Sequence, residues 1–210
     1  MSESNMKIDE ICKDINCMDQ SVFRSFLPKY DFLKPSAIRY ADVYMDTNVH
    51  VNVFGFLHSG QRIPLHSHPN MFACMKVLQG KFRVNSYTIV ERSFNRVMTK
   101  YDGYKCISSQ DSNHTVYLEP LKGNIHEIIA LEDRSYFFDV FFPGYVGDCE
   151  YFQPVMSEIS GPCSSSSSSS ESLDFSEMTI GDAVELAFVP PPRDFETKHF
   201  SFPRFNSLLF

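Results

Sequence analysis

His66 and His68, two residues apart in the run Gly60 to Gly80 (GQRIPLHSHPNMFACMKVLQG), are the side chains of this chain best placed to hold a metal ion. On a strand, residues two apart leave the same face, whereas on a helix they diverge by about 200°. Pro64 and Pro69 exclude a helix interior around them. Two imidazoles side by side, beside Leu65 and Met71, make half of a metal site, imidazole being the commonest protein metal ligand. Most histidines ligate nothing, so the pair alone fits two turn residues equally well. His126, in GNIHEI just ahead of an apolar strand, is the natural third ligand. His50, His58, His114 and His199 have no comparable partner and read as structural or exposed.

The elements that must position these rings are short and β-rich. From Met6 to Leu33, apolar residues at Ile8, Ile11, Cys12 and Ile15, then at Val22, Phe23, Phe26 and Leu27, recur at spacings of three and four and predict two short amphipathic helices. After Pro35 the chain turns to runs rich in Val, Ile, Phe and Tyr broken by Gly, Asn and Ser. His50–Leu57, Ile125–Leu131, Tyr136–Phe142 and Val184–Val189 read as strands, and Met75–Val84 as two strands meeting near Gln79-Gly80. Many short strands with no long helix between them favour an antiparallel sandwich or barrel. The expected layout is a single domain over 1–210: helices in 6–34, a barrel core over 43–155, a serine-rich disordered insertion at 160–176 containing Ser164–Ser170, and a C-terminal strand and tail over 184–210.

Composition excludes several classes of function. The chain has 210 residues, 43% hydrophobic and 21% charged, with 20 Phe, 10 Tyr and no Trp, which suits an aromatic-rich globular core. Its formal charge of −7 offers no electrostatic reason to bind nucleic acid or an anionic membrane. There is no apolar run long enough for a membrane span and no leader-like start, so the expected location is cytoplasmic or nuclear. Six scattered cysteines without CxxC spacing predict reduced thiols, most of them in the core, rather than a zinc ribbon or a disulfide framework. The expected assembly is a monomer.

Taken together, Gly60, His66-Ser67-His68 and Gly80 resemble the first motif of the cupin superfamily, which usually places a glutamate ligand seven residues before that last glycine; here that position is Ala73. PLKGNIH (Pro120–His126) resembles a loosened second cupin motif. A three-histidine site without a carboxylate is characteristic of the thiol dioxygenases among cupins. IPLHSHPNM is similar to the IPLHDHPGM signature of the cysteamine (2-aminoethanethiol) dioxygenase and plant cysteine oxidase family. MKVLQGKFRVNSY, GNIH, FFDVFFPGY and DCEYF follow in that family's order, and VELAFVPPPRDF looks more like the animal enzymes. The resemblance covers roughly 43–195. It departs from the family at Ser67, where Asp is usual, at Asn70, where Gly is usual, at Gly144, where a second proline is frequent, and in a shorter loop from Tyr145 to Cys149.

The resemblance implies a cupin-type double-stranded β-helix with short N-terminal helices, and Fe(2+) on His66, His68 and His126. Three neutral imidazoles leave the metal's charge uncompensated and coordination positions open. It further implies transfer of both atoms of O2 to the sulfur of cysteamine, or of a protein's N-terminal cysteine, giving the sulfinic acid and a role in oxygen-dependent protein turnover. Four electrons leave the sulfur and four enter O2, so no flavin or nicotinamide is needed. By the same resemblance Asp139 pairs with the substrate ammonium, Tyr145 offers its hydroxyl to the pocket, and Cys149 and Tyr151 are a thioether crosslink candidate. Two alternatives stand beside this reading: a different metal cupin acting on a carbon substrate, and a non-catalytic ligand-binding cupin, for which Ser67 and Asn70 speak.

Overall fold

The computed structural model describes residues 3–24, 27, 36–111, 115–144, 147–155 and 178–203. The serine run, His114 and Tyr145 lie outside these residues. Among the described residues two helices, α1 (Glu3–Cys17) and α2 (Gln20–Arg24), precede twelve strands. These are β1 (Ile38–Met45), β2 (His50–Phe56), β3 (Arg62–Ser67), β4 (Phe72–Gln79), β5 (Lys81–Arg92), β6 (Arg96–Ser108), β7 (Thr115–Leu118), β8 (Ile125–Ala130), β9 (Ser135–Phe142), β10 (Glu150–Pro154), β11 (Ala183–Val189) and β12 (Thr197–His199). Asp19 starts α2, its carboxylate accepting from the backbone and hydroxyl of Ser21, both at 2.8 Å.

One sheet has the order β12-β1-β2-β9-β4-β7; the other, β10-β11-β6-β5-β8-β3, closes on itself through the β10–β3 pair. The principal core lies between the two sheets. Phe56, Met75, Val77, Phe137 and Phe141 enter it from the first, and Ile63, Phe82, Val84, Ile128 and Ala130 from the second. This is the mainly β double-stranded β-helix with short N-terminal helices expected above. β9 is buried on both faces, as its largely apolar sequence requires: Phe137 and Phe141 face the barrel, while Phe138 and Val140 face a second core shared with Ile15, Phe23 and Phe202.

The β4–β5 turn shows why Gly80 is needed. Its φ is +77°, and a Cβ there would sit 2.9 Å from the Ser135 backbone. Asn70 adopts φ +61° in the β3–β4 turn, a left-handed conformation that asparagine tolerates, so the turn survives the substitution of the family's usual glycine. Gly144 also has a local cause. A Cβ there would meet the Asp46 carbonyl oxygen at 2.1 Å, and its N–H donates to the Thr47 carbonyl at 3.3 Å, a bond proline could not make.

The cysteine expectation needs correction. Among the described cysteines only Cys74 is buried; Cys12 and Cys149 are half-buried and Cys17 and Cys106 exposed. Among the described residues, no helix is long and apolar enough to cross a membrane.

Lys76 joins the helices to the barrel. It lies on β4 with no exposed surface, and its ammonium donates to the carbonyls of Ile15 (2.5 Å), Asn16 (2.9 Å) and Met18 (2.6 Å). A cation suits the negative end of α1, where the last carbonyls lack i+4 partners; the Ile15 carbonyl also accepts from the Met18 N–H at 3.3 Å. Lys76→Met is expected to lower unfolding stability by about 2–3 kcal/mol, because hydrogen bonds to a charged group are lost and buried carbonyls are orphaned. Urea denaturation checks it; an unchanged midpoint would show that α1 docks by its apolar face alone.

Candidate metal centre

His66 lies near the end of β3, where a register shift between Ile63 and His66 turns its ring toward the barrel. Leu65 packs instead in the core inside the closed sheet. Register pairs His66 directly with His126 of β8 on one side and with Tyr151 of β10 on the other. His68 stands just beyond the end of β3, so the shared face predicted for a strand is reached through a turn. All three rings are buried, and their candidate ligand nitrogens lie within 4.8 Å of one another. Among the described residues no carboxylate joins the group, and Ala73, at the position where the cupin motif usually has its acid, packs in the apolar core.

Hydrogen bonds set which nitrogens face inward. His66 Nδ1 lies 2.8 Å from the Pro64 carbonyl and His126 Nδ1 2.8 Å from the Asn124 carbonyl. A carbonyl has no proton to give, so Nδ1 carries the hydrogen in both rings and Nε2 keeps its lone pair. His66 Nε2 and His68 Nε2 approach to 3.1 Å. Burial pushes the His66 pKa down to about 4. Burial, together with the neighbouring rings, holds His68 and His126 well below the usual range. The site is thus three neutral imidazoles, with the lone pairs of His66 and His126 turned inward by their Nδ1–H bonds. That donor set fits a divalent transition metal.

Asn124 is the residue sequence reasoning missed. Its side-chain oxygen accepts from the His68 N–H at 2.9 Å. Its amide nitrogen donates to the carbonyls of His68 (3.1 Å), Met71 (3.2 Å) and Glu119 (3.1 Å). Its own carbonyl orients His126, so one buried asparagine sets both the turn carrying His68 and the tautomer of the third ring. The only available signal was its place in GNIH, which reads as an ordinary turn. Asn124→Ala is expected to weaken metal binding about 10- to 100-fold, the usual cost of losing a group that orients ligands. Competition with a chromophoric chelator checks it.

Ser67 points away from the metal ligands' nitrogens. Its hydroxyl donates to Glu150 at 3.0 Å, and Glu150 in turn pairs with Arg92, tying β3 to β10. Cys149 places its sulfur 3.5 Å from His68 Nδ1, and the Tyr151 ring lies 6.2 Å from that of His66, with burial pushing the phenol up to about 12. Asp139 faces the barrel interior between Phe137 and Phe141, and the Phe141 ring packs on His68 at 4.5 Å. Burial pushes the Asp139 carboxyl up to about 7. Of the residues set aside, His50 is buried beside Asp42 (3.0 Å), while His199 is exposed, 3.9 Å from the same carboxylate.

Comparison with known proteins adds an independent line. The chain matches the PCO_ADO family over residues 9–203, farther toward both ends than the motifs alone suggested. It is 22% identical over 152 residues to a Dictyostelium discoideum protein described as "Probable 2-aminoethanethiol dioxygenase", covering 69% of each chain. It is 25% identical over 166 residues to the 2-aminoethanethiol dioxygenase of Mus musculus, covering 68% of this chain and 63% of that one. The human 2-aminoethanethiol dioxygenase is 26% identical over 141 residues, spanning about half of its length (52%). Among solved structures, a double-stranded β-helix protein from Klebsiella pneumoniae aligns at TM-score 0.41 with 17% identity, covering 60% of this chain and 90% of that one.

Proposed function

The chain belongs to the PCO_ADO family, a family of thiol dioxygenases, and on that premise we propose that it is an iron(II)-dependent enzyme adding both atoms of O2 to the sulfur of an aminothiol. The substrate class is cysteamine or the N-terminal cysteine of a protein, and the product is the sulfinic acid. The observation that carries this reading is the buried set of three neutral histidines whose inward nitrogens meet without a carboxylate. Such a set fits ferrous iron and leaves positions open for two further ligands. Bound there, iron supplies a redox-active centre that lowers the pKa of a thiol and allows dioxygen to react. The balance is R–SH + O2 → R–SO2H, four electrons leaving sulfur as O2 takes up four.

The chain's own residues hold and shape the site. Nδ1–H bonds to backbone carbonyls fix His66 and His126, Asn124 fixes the turn carrying His68, and Phe141 keeps water from one side of that ring. Asp139, a buried carboxyl on the interior face, is suited to receive the substrate ammonium. Cys149 and Tyr151 remain a crosslink candidate; an intact mass about 2 Da below the sequence mass would reveal the two hydrogens lost on thioether formation. The proposed setting is the cytoplasm or nucleus, where oxidation of an N-terminal cysteine would couple oxygen supply to the fate of the modified protein.

The deciding experiment reconstitutes the purified chain anaerobically with Fe(II), then adds oxygen with cysteamine or a Cys-initiated peptide. A product about 32 Da heavier, the mass of two oxygen atoms, is expected. An unchanged mass for both substrates with iron demonstrably bound would remove the proposal.

A further inference from the structure

One cross-strand row of the first sheet carries an amide between two acids. Register places Asp42 of β1 opposite Asn52 of β2, Asn52 opposite Asp139 of β9, and Asp139 opposite Met75 of β4. Residues opposed in this way hold their Cβ atoms about 5 Å apart on the same face. That face is the barrel interior. β2 sends Val51 and Val53 outward under the helices and Phe56 inward; β9 sends Phe138 and Val140 outward and Phe137 and Phe141 inward. Asn52 is 3% exposed and Asp139 4%. Phe141, two residues along from Asp139, lies against His68, which links the row to the histidine site on that side.

The amide of Asn52 has a defined direction. One end is surrounded by the Val51 carbonyl (3.0 Å), Asp42 Oδ1 (3.3 Å) and His50 Nε2 (2.8 Å). Carbonyl and carboxylate oxygens only accept, so the amide nitrogen belongs at that end and Oδ1 at the other. Asp42 is itself held by the Tyr40 hydroxyl. Among the described residues, no group hydrogen-bonds to Asp139 Oδ1. Asp139 Oδ1 is thus a buried acceptor without a donor, opposite Asn52 across the strand pair, a costly arrangement for the ionised carboxylate unless a ligand supplies one.

We infer that Asn52 and Asp139 together form the receptor for the substrate's ammonium group, the amide oxygen and the carboxylate accepting from the same nitrogen. An ammonium brings three N–H donors and a positive charge, whereas an alkyl thiol brings neither. The inference rests on the aminothiol reading above and adds to it a binding residue, Asn52.

The test is anaerobic calorimetric titration of the Fe(II)-loaded chain with cysteamine and with ethanethiol, for the parent, Asn52→Val and Asn52→Asp, with folding checked by circular dichroism. The parent is expected to prefer cysteamine. Asn52→Val should lose about 10- to 100-fold in cysteamine affinity, as for one hydrogen bond to a charged group, with ethanethiol within about twofold. Asn52→Asp keeps an oxygen at the position and should retain most of the preference. An unchanged cysteamine-to-ethanethiol ratio in a folded Val variant overturns the inference, as does equal loss of both thiols, or an Asp variant as poor as Val. A parent that binds neither thiol defeats the aminothiol reading itself and is recognised before any variant is made.

Discussion

His126→Ala is expected to leave a folded barrel that no longer retains iron and no longer oxidises thiols. His126 contributes one of three inward nitrogens, and the two remaining rings cannot close a facial site. Spreading the about 10–16 kcal/mol of a four-ligand zinc site evenly over its ligands gives roughly 2.5–4 kcal/mol each, so affinity should fall by about 10²- to 10³-fold. Turnover should fall with it to no more than the rate of free iron. The fold should survive, because the ring's protein contacts are few: one Nδ1–H bond to Asn124 and packing against two other imidazoles. Iron-to-protein ratio after gel filtration and oxygen uptake with cysteamine check the two halves separately. Full retention of metal in the alanine variant would mean that His126 is a structural histidine, as in a non-catalytic cupin.

How much of this was legible in the sequence depends on which force fixed each residue. The histidine pair was readable because HxH flanked by prolines permits few backbones, and strands such as β8, β9 and β11 announced themselves by short runs rich in Ile, Val and Phe. The register shift that turns His66 inward and drives Leu65 into a different core left no trace in IPLHSH, since a bulge depends on what β8 and β10 present across the gap. Asn52 misleads in the opposite direction. In HVNVFGF it sits at the polar position of an alternating strand, which ordinarily faces water. Here helices α1 and α2 and the C-terminal Phe202 help cover the face bearing Val51 and Val53, so the polar side is the one turned into the barrel. Lys76 is invisible for the same reason: an ammonium in FACMKVLQ has meaning only once the end of α1 arrives above it. Local pattern identifies strands and candidate ligands; which face is wet is decided by segments far away in the chain.

Asp139→Asn is expected to stabilise the metal-free protein at neutral and alkaline pH while impairing aminothiol binding. The sign follows from the shift. An unfolded aspartate releases its proton near its ordinary value of 3.8, whereas the buried carboxyl holds it to about 7. Between those values the native state binds more protons than the unfolded state, so this group's contribution to stability falls as pH rises and levels off above about 7. A shift of roughly three units at about 1.4 kcal/mol each sets the loss at a few kcal/mol. Asparagine has nothing to ionise, so the variant's advantage over the parent should be absent near pH 4, grow up to pH 7 and stay constant beyond it. Thermal melts of both proteins across that range, with chelator present, read it directly. In the iron-loaded enzyme the same change should raise KM for cysteamine about 10- to 100-fold, the cost of losing a charged acceptor, and leave ethanethiol nearly unaffected. A residue whose removal strengthens the fold and weakens selection of one substrate is held there for function, since burial alone would disfavour it. A pH-independent difference in melting temperature, or an unchanged KM for cysteamine, would instead make Asp139 a structural carboxyl satisfied within the barrel.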